Sequence, residues 1–271
     1  MDFLKTVLVT GANRGIGKET ARELAGRGYR VILACRSMSK AEDARAEIVK
    51  ESGNENVHCI ELDLSRKTSI LHFVKQFAAS WGKLNILINN AGISSNKHDR
   101  TEDGFEINIG TNFVGTYILT MNLLPLFDEL HEKRIINIAS NIASIGWFNT
   151  KKINSYRWFV AYAVSKRMLL LFTKWLSAEK ELDNFKINAV HPGVVDTSIM
   201  YTGKWFDFLI KFLCHPFFIT VEEGAKPAID LATSETIENG KYYVKGEPHE
   251  IVLSRRKQRE LVDLLEFCKT L

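Results

Sequence analysis

The chain has 271 residues, 45% hydrophobic and 25% charged, with a formal net charge of +4. These values exclude a disordered chain and fit one α/β domain large enough to bury a sizeable core. The basic excess gathers in Arg255-Arg256-Lys257-Gln258-Arg259 instead of spreading over a face, which argues for a solvated C-terminal helix and against a nucleic-acid partner.

In chain order, short β-branched runs at 6–9, 30–34, 57–62, 86–88, 134–138, 186–190 and 241–244 predict strands. Helix-periodic stretches around 15–27, 39–52, 67–81, 103–130, 157–182 and 221–234 lie between them, with a helical tail at 254–271. Most of the strands are continuous apolar runs, as expected when both faces are covered by helices. Alternating β and α units predict one doubly wound, mostly parallel Rossmann-like sheet of about seven strands, spanning residues 1–271 as a single domain. No repeat, low-complexity segment or linker interrupts it.

The first strand runs into Thr10-Gly11-Ala12-Asn13-Arg14-Gly15-Ile16-Gly17, and a helix follows. Glycines there permit a tight turn and let backbone N–H groups approach a pyrophosphate at the helix N-terminus. After the second strand, where an acidic residue would bond the ribose hydroxyls of NAD, stands Arg36. With Arg14 it offers two guanidinium groups to a 2′-phosphate, so NADP(H) is expected over NAD(H). Asp63 and Leu64 follow the third strand, Ser65 is the better candidate N-cap for a helix starting near Arg66, and Asn89-Asn90-Ala91-Gly92 follows the fourth strand.

Further on, Ile135-Ile136-Asn137-Ile138-Ala139-Ser140 reads as a strand ending in serine at the ligand-binding edge of an open α/β sheet. Tyr162 and Lys166 share one helix face at i and i+4. A tyrosine with its ordinary pKa near 10 is a poor base at neutral pH, and a neighbouring ammonium stabilises its phenolate. Asn112 lies in Thr111-Asn112-Phe113-Val114-Gly115, with Asn108 as a nearby competitor. Ser144 competes in the same way with Ser140. His191-Pro192-Gly193-Val194-Val195-Asp196-Thr197 follows the sixth strand, and His191 reads as a structural histidine.

The Gly-x-x-x-Gly-x-Gly loop, Asn89-Asn90-Ala91-Gly92, Ser140 and Tyr162-x-x-x-Lys166 together resemble the short-chain dehydrogenase/reductase family over about residues 5–245. The run Leu33-Ala34-Cys35-Arg36 and the long segment before Tyr162 look most like its retinol dehydrogenase-like branch. The resemblance implies an oxidoreductase that interconverts an alcohol and a carbonyl compound by hydride transfer. It implies Tyr162 as general acid/base, Lys166 as its partner, Ser140 on the substrate oxygen, and Asn112 holding a water for proton relay. It further implies cofactor contacts from Gly11, Asn13, Arg14, Gly15, Ile16, Gly17, Arg36, Asp63, Leu64, Asn90, Ala91, Gly92, Tyr162, Lys166, Pro192, Gly193, Val195 and Thr197. The alternatives are an NAD-linked alcohol dehydrogenase and a non-catalytic nucleotide-binding regulator.

Apolar residues before Tyr162 (Ile142, Ile145, Trp147, Phe148, Trp158, Phe159) and a second group at 205–218 predict an amphipathic substrate lid at about 198–220. The substrate is then expected to be lipophilic: a retinoid, steroid, fatty aldehyde or aromatic ketone. The same apolar residues packing on the core or a partner subunit, or peripheral membrane docking through 205–221, are the competing readings. Family members often pair through the helices around 103–130 and 157–182 to make a homodimer or tetramer, but retinol dehydrogenase-like members need not, so the resemblance leaves the oligomeric state open. Four widely spaced cysteines (Cys35, Cys59, Cys214, Cys268) predict free thiols in a reducing compartment, no residue spacing calls for a metal, and a cytoplasmic location is expected.

Overall fold

The structure is a computed structural model, which describes residues 4–144, 149, 153–193 and 219–271. It contains an eight-stranded sheet of order β3-β2-β1-β4-β5-β6-β7-β8. The strands are β1 (Thr6–Thr10), β2 (Arg30–Cys35), β3 (Val57–Glu61), β4 (Ile86–Asn89), β5 (Lys133–Ile138), β6 (Phe185–His191), β7 (Lys241–Val244) and β8 (Glu247–Glu250). All neighbouring pairs are parallel except β7 with β8. The eighth strand is one more than the sequence predicts. Its residues Glu247, Pro248, His249 and Glu250 are all exposed, so it carries no apolar alternation to read. It closes the sheet edge as a hairpin around Lys245 and Gly246, both at positive φ.

Strand residues alternate between two cores. Val7 and Val9 point with Val31, Leu33, Ile86 and Ile88 towards α1 (Gly15–Gly26), α2 (Met38–Ser52) and α6 (Val221–Thr233). Leu8, Ile32, Leu87 and Ile135 point the other way, towards α3 (Lys67–Ser80), α4 (Gly115–Leu123), α5 (Trp158–Leu176) and α7 (Arg255–Cys268). The strand period of two thus feeds both layers from one continuous apolar run.

Two local expectations are corrected. The predicted helix at 103–130 begins only at Ile107. It continues as a π-helical stretch at Gly110–Val114, then α4, and ends in a 3-10 turn at Leu124–Leu126. Ser65 does not cap α3. Its hydroxyl and backbone N–H both donate to Asp63 Oδ1, at 2.7 and 2.9 Å. Arg66 occupies the N-cap position without a side-chain cap, and the backbone N–H of Lys67 donates instead to Asp103 Oδ2 at 2.9 Å. A carboxylate from a distant loop therefore does what a local serine was expected to do. The basic C-terminal stretch does form a solvated helix, with Arg255, Arg256 and Arg259 exposed on α7.

Candidate active site

The sheet order reverses between β1 and β4, both of which lead away from the same point to opposite edges. The carboxyl ends of strands at such a reversal leave a crevice. Here it is a cavity of about 720 Å³ that reaches from the loop after β1 to the residues after β6.

The glycine loop is built for close approach. Gly11 and Gly15 have φ of +66° and +53°, conformations that strain other L-residues. The backbone N–H of Gly11 donates to Ala34 O at 2.8 Å, which ties the loop to β2. A Cβ at Gly17 would lie 2.3 Å from Asn90 Nδ2 and 2.7 Å from Gly11 O, so no side chain fits there. Asn90 Nδ2 itself donates to Thr10 O at 2.8 Å, and Thr10 Oγ1 accepts the backbone N–H groups of Asn90 and Ala91 at 3.0 and 2.9 Å. The loop after β4 therefore braces the loop after β1, and α1 starts beside them with its N-terminal N–H groups at the cavity wall. This cradle fits a dinucleotide pyrophosphate. Arg14 and Arg36 are both exposed at the cavity rim, and among the described residues neither makes an ion pair.

Of the described residues expected to touch cofactor or substrate, all but one line the cavity: Gly11, Asn13, Arg14, Gly15, Ile16, Gly17, Arg36, Asp63, Leu64, Asn90, Ala91, Gly92, Ser140, Tyr162, Lys166, Pro192 and Gly193. Val195 and Thr197 lie outside the described residues, as does nearly all of the lid expected at 198–220. The exception is Asn112, which sits buried behind the wall. Its Oδ1 accepts the backbone N–H of Ile93 at 2.8 Å, and its Nδ2 donates to Ile93 O at 2.8 Å and Ser165 Oγ at 3.1 Å. Asn112 belongs to the π-helical stretch, a wider turn that often marks a functional position. A Cβ on Gly92 would sit 3.4 Å from Lys166 Nζ and 3.5 Å from Asn112 Oδ1, so glycine keeps open the space that both groups border.

Both competitors are committed elsewhere. Asn108 accepts from Ser95 N and donates to Ser95 O and Glu106 Oε1, which fixes the loop around Ser95. Ser144 donates to Asn141 O at 2.7 Å within the 3-10 turn Asn141–Ser144 and does not line the cavity.

Tyr162 and Lys166 lie one turn apart on α5, with Ser140 two residues beyond β5 in the same cavity. Burial pushes the Tyr162 phenol above its ordinary value, and a hydrogen bond with Ser140 works against that shift. Lys166 is 5% exposed, and its Nζ donates to Ile138 O at 2.7 Å. Burial lowers its ammonium to about 8. His191 also borders the cavity; burial lowers its imidazole, and its Nδ1 has no hydrogen-bond partner among the described residues. Cys35 lines the nucleotide end, where burial raises its thiol to about 11 against the opposing backbone N–H groups of Ala12 and Asn13.

Two features of the site were not singled out in the sequence. The Thr10 hydroxyl joins the two cofactor-side loops, and Thr111 Oγ1 is buried at the cavity without a hydrogen-bond partner among the described residues. Both threonines adjoin motif residues, and that adjacency was the only signal the sequence offered.

The family model for short chain dehydrogenases matches residues 5–204. The chain belongs to the short-chain dehydrogenase family. It is 40% identical over 244 residues to retinol dehydrogenase 12 of Mus musculus, covering 88% of this chain and 77% of that relative. Among solved structures it resembles a 3-ketoacyl-(acyl-carrier-protein) reductase from Brucella melitensis complexed with NADH, with a TM-score of 0.71 and 24% identity over 89% of this chain and 96% of that one. It also resembles an L-sorbose reductase from Gluconobacter frateurii complexed with NADPH and L-sorbose, with a TM-score of 0.73 and 22% identity over 89% and 94%. Those two likenesses concern the fold. As a short-chain dehydrogenase of the retinol dehydrogenase-like branch, the protein is an oxidoreductase acting on CH–OH groups. Among the described residues no helix is long and apolar enough to cross a membrane.

Proposed function

We propose that this short-chain dehydrogenase uses NADP(H) to interconvert a lipophilic alcohol and its carbonyl compound, with Tyr162 carrying the proton. The observation that supports it is the meeting of Ser140, Tyr162 and Lys166 in the same cavity as the glycine cradle. A bound nicotinamide cofactor supplies or accepts the hydride. In reduction, the Tyr162 hydroxyl gives its proton to the substrate oxygen while Ser140 Oγ holds that oxygen by a hydrogen bond. The Lys166 ammonium stabilises the phenolate that forms, and its Nζ is held in place by Ile138 O. Asn112 borders the same space beside Gly92, and the family resemblance gives it the role of holding a water for proton relay to Lys166. Because burial raises Tyr162, the protein alone keeps it a neutral phenol, ready to donate. Oxidation needs the phenolate and therefore gains with rising pH.

The NADP(H) preference rests on Arg14 and Arg36. Both reach the adenosine end of the cavity, and neither has a carboxylate ion-pair partner among the described residues. A lipophilic substrate is supported by the opposite end, where Ile93, Ile142, Trp158 and Phe159 form the wall next to Tyr162. Trp158 and Phe159 pack edge-to-face with centroids 5.7 Å apart, presenting a rigid apolar surface. The retinol dehydrogenase names of the relatives agree with this class.

The test is cofactor oxidation with NADPH and with NADH, against retinal, a medium-chain aldehyde, a steroid ketone and an aromatic ketone. The proposal expects NADPH to outperform NADH with at least one of these. Faster turnover with NADH would favour the NAD-linked alternative, and tight cofactor binding without turnover of any carbonyl would favour a regulator.

A further inference from the structure

Immediately after Lys166 on α5 stands Arg167, a guanidinium only 3% exposed. Its Nε donates to Glu260 Oε2 at 2.6 Å, and its Nη2 lies 2.6 Å from the same oxygen, off the line of a hydrogen bond. Glu260 is itself 5% exposed, on the buried face of α7. A buried ion pair of this kind costs desolvation, and well-packed apolar residues are often as stable in its place. Stability alone therefore gives little reason for it.

The third arm of the guanidinium points towards the candidate active site. Arg167 Nη1 donates to Ala143 O at 3.3 Å. Ala143 belongs to the 3-10 turn Asn141–Ser144, which begins one residue after Ser140. That turn holds Ser140 twice. The backbone N–H of Ala143 donates to Ser140 O at 3.0 Å, and the backbone N–H of Ile142 donates to Ser140 Oγ at 3.4 Å. The turn packs against α5, and Ala143 is buried. A second cavity of about 350 Å³ lies beside it, bordered by Ser140, Ala143, Arg167, Tyr242 and Ile251. Two side chains from outside hold the turn: Arg167 at Ala143 O, and Tyr242, whose hydroxyl donates to Asn141 Oδ1 at 3.0 Å.

We infer that Arg167, anchored by Glu260 of the C-terminal helix, is a positioning residue that fixes the Ser140 turn against Tyr162. It follows Lys166 on the same helix, so a single rigid element sets the phenol, the ammonium and the support of the serine. The inference deepens the proposed function, since it rests on Ser140 holding the substrate oxygen. The effect of a displaced serine falls on the reaction step and leaves cofactor binding alone, because no residue of the glycine cradle makes a hydrogen bond or ion pair with Arg167 or Glu260. Misplacing a reacting group by about 1 Å costs on the order of 100-fold in rate.

The test uses the full chain in four forms: wild type, Arg167→Met/Glu260→Leu, Ser140→Ala, and all three substitutions together. Removing both charges avoids stranding one of them in the core. The account expects the paired replacement to keep the melting temperature within a few degrees and the NADPH dissociation constant within about twofold, while kcat for the best carbonyl of the panel falls on the order of 100-fold. In the Ser140→Ala background the same replacement should lower kcat less than about threefold, because the group it positions is gone. A paired variant with near-wild-type kcat overturns the inference. So does an equal loss of kcat with and without Ser140, which would mean that the pair acts elsewhere. A Ser140→Ala enzyme with wild-type kcat overturns instead the role given to Ser140 in the proposed function. If the paired variant does not fold, Arg167→Lys carries the same comparison, since it keeps a cation opposite Glu260 but lacks the fork that reaches Ala143.

Discussion

Lys166 and Tyr162 are one helical turn apart, and burial works on them in opposite senses: it lowers the ammonium to about 8 and raises the phenol. Each shift disfavours the charged form, so the apo site resists the ammonium–phenolate pair that oxidation requires. The lysine shift has a stability consequence with a definite sign. Below about pH 8 Lys166 is protonated in both folded and unfolded chains, and the folded state bears the full desolvation cost. Between pH 8 and the ordinary lysine value of 10.5, the folded amine is neutral while the unfolded one still binds a proton, so stability rises with pH. Denaturant titrations of wild type and Lys166→Met should therefore diverge in favour of wild type by about 2 kcal/mol between pH 7 and pH 10. A difference that stays constant across that range would mean that Lys166 is not held in a desolvated site. At the other end of the cavity, Arg36→Asp removes a guanidinium and adds a repelling carboxylate. Charge-assisted hydrogen bonds contribute roughly 1.5–3 kcal/mol, so NADPH binding should weaken about tenfold or more while NADH binding improves. Fluorescence titration with each nucleotide reads this out, and unchanged NADPH affinity would remove Arg36 from the 2′-phosphate site.

At the scale of elements, the cofactor cradle is two loops locked together, and Gly17 is the point where they touch. A methyl group there meets Asn90 Nδ2 at 2.3 Å and Gly11 O at 2.7 Å, and the second of these is backbone that cannot rotate away. Overpacking of this kind costs about 1–3 kcal/mol. Gly17→Ala should lower the melting temperature and weaken NADPH binding together, as thermal denaturation and titration would show; loss of neither would mean that the loops are not in contact. The glycine pattern of this loop was legible in the sequence because only a backbone of that kind can approach a phosphate. Seven strands were legible because most are β-branched apolar runs covered on both faces. The eighth was not, because Glu247 to Glu250 face solvent and carry no apolar alternation; the strand meets β7 through its backbone and an ion pair between Lys241 and Glu250. The break of the 103–130 helix into a π-helical stretch also left no local signature. The stretch ends against a distant segment at Gly115, where a Cβ would lie 2.0 Å from Leu64 O. Asp103 capping α3 and Glu260 meeting Arg167 are invisible for the same reason: the partners are 36 and 93 residues apart.

Across the whole molecule, the reversal of strand order between β1 and β4 creates one crevice, and the chain fills it from both sides. The β1–β3 half supplies the glycine cradle and the two arginines, and the β4–β6 half supplies Gly92, Ser140, Tyr162 and Lys166. The motifs were readable one by one; their convergence on a single cavity of about 720 Å³ required the fold. Under the proposed function this cavity transfers a hydride with Tyr162 as proton carrier. The proposal's most direct test is single-turnover oxidation of NADPH by wild type and by Tyr162→Phe, using the carbonyl that the wild type reduces fastest. With saturating NADPH, Tyr162→Phe should lose roughly 10²–10⁴-fold in the rate. A Tyr162→Phe protein that oxidises NADPH at the wild-type rate would contradict it.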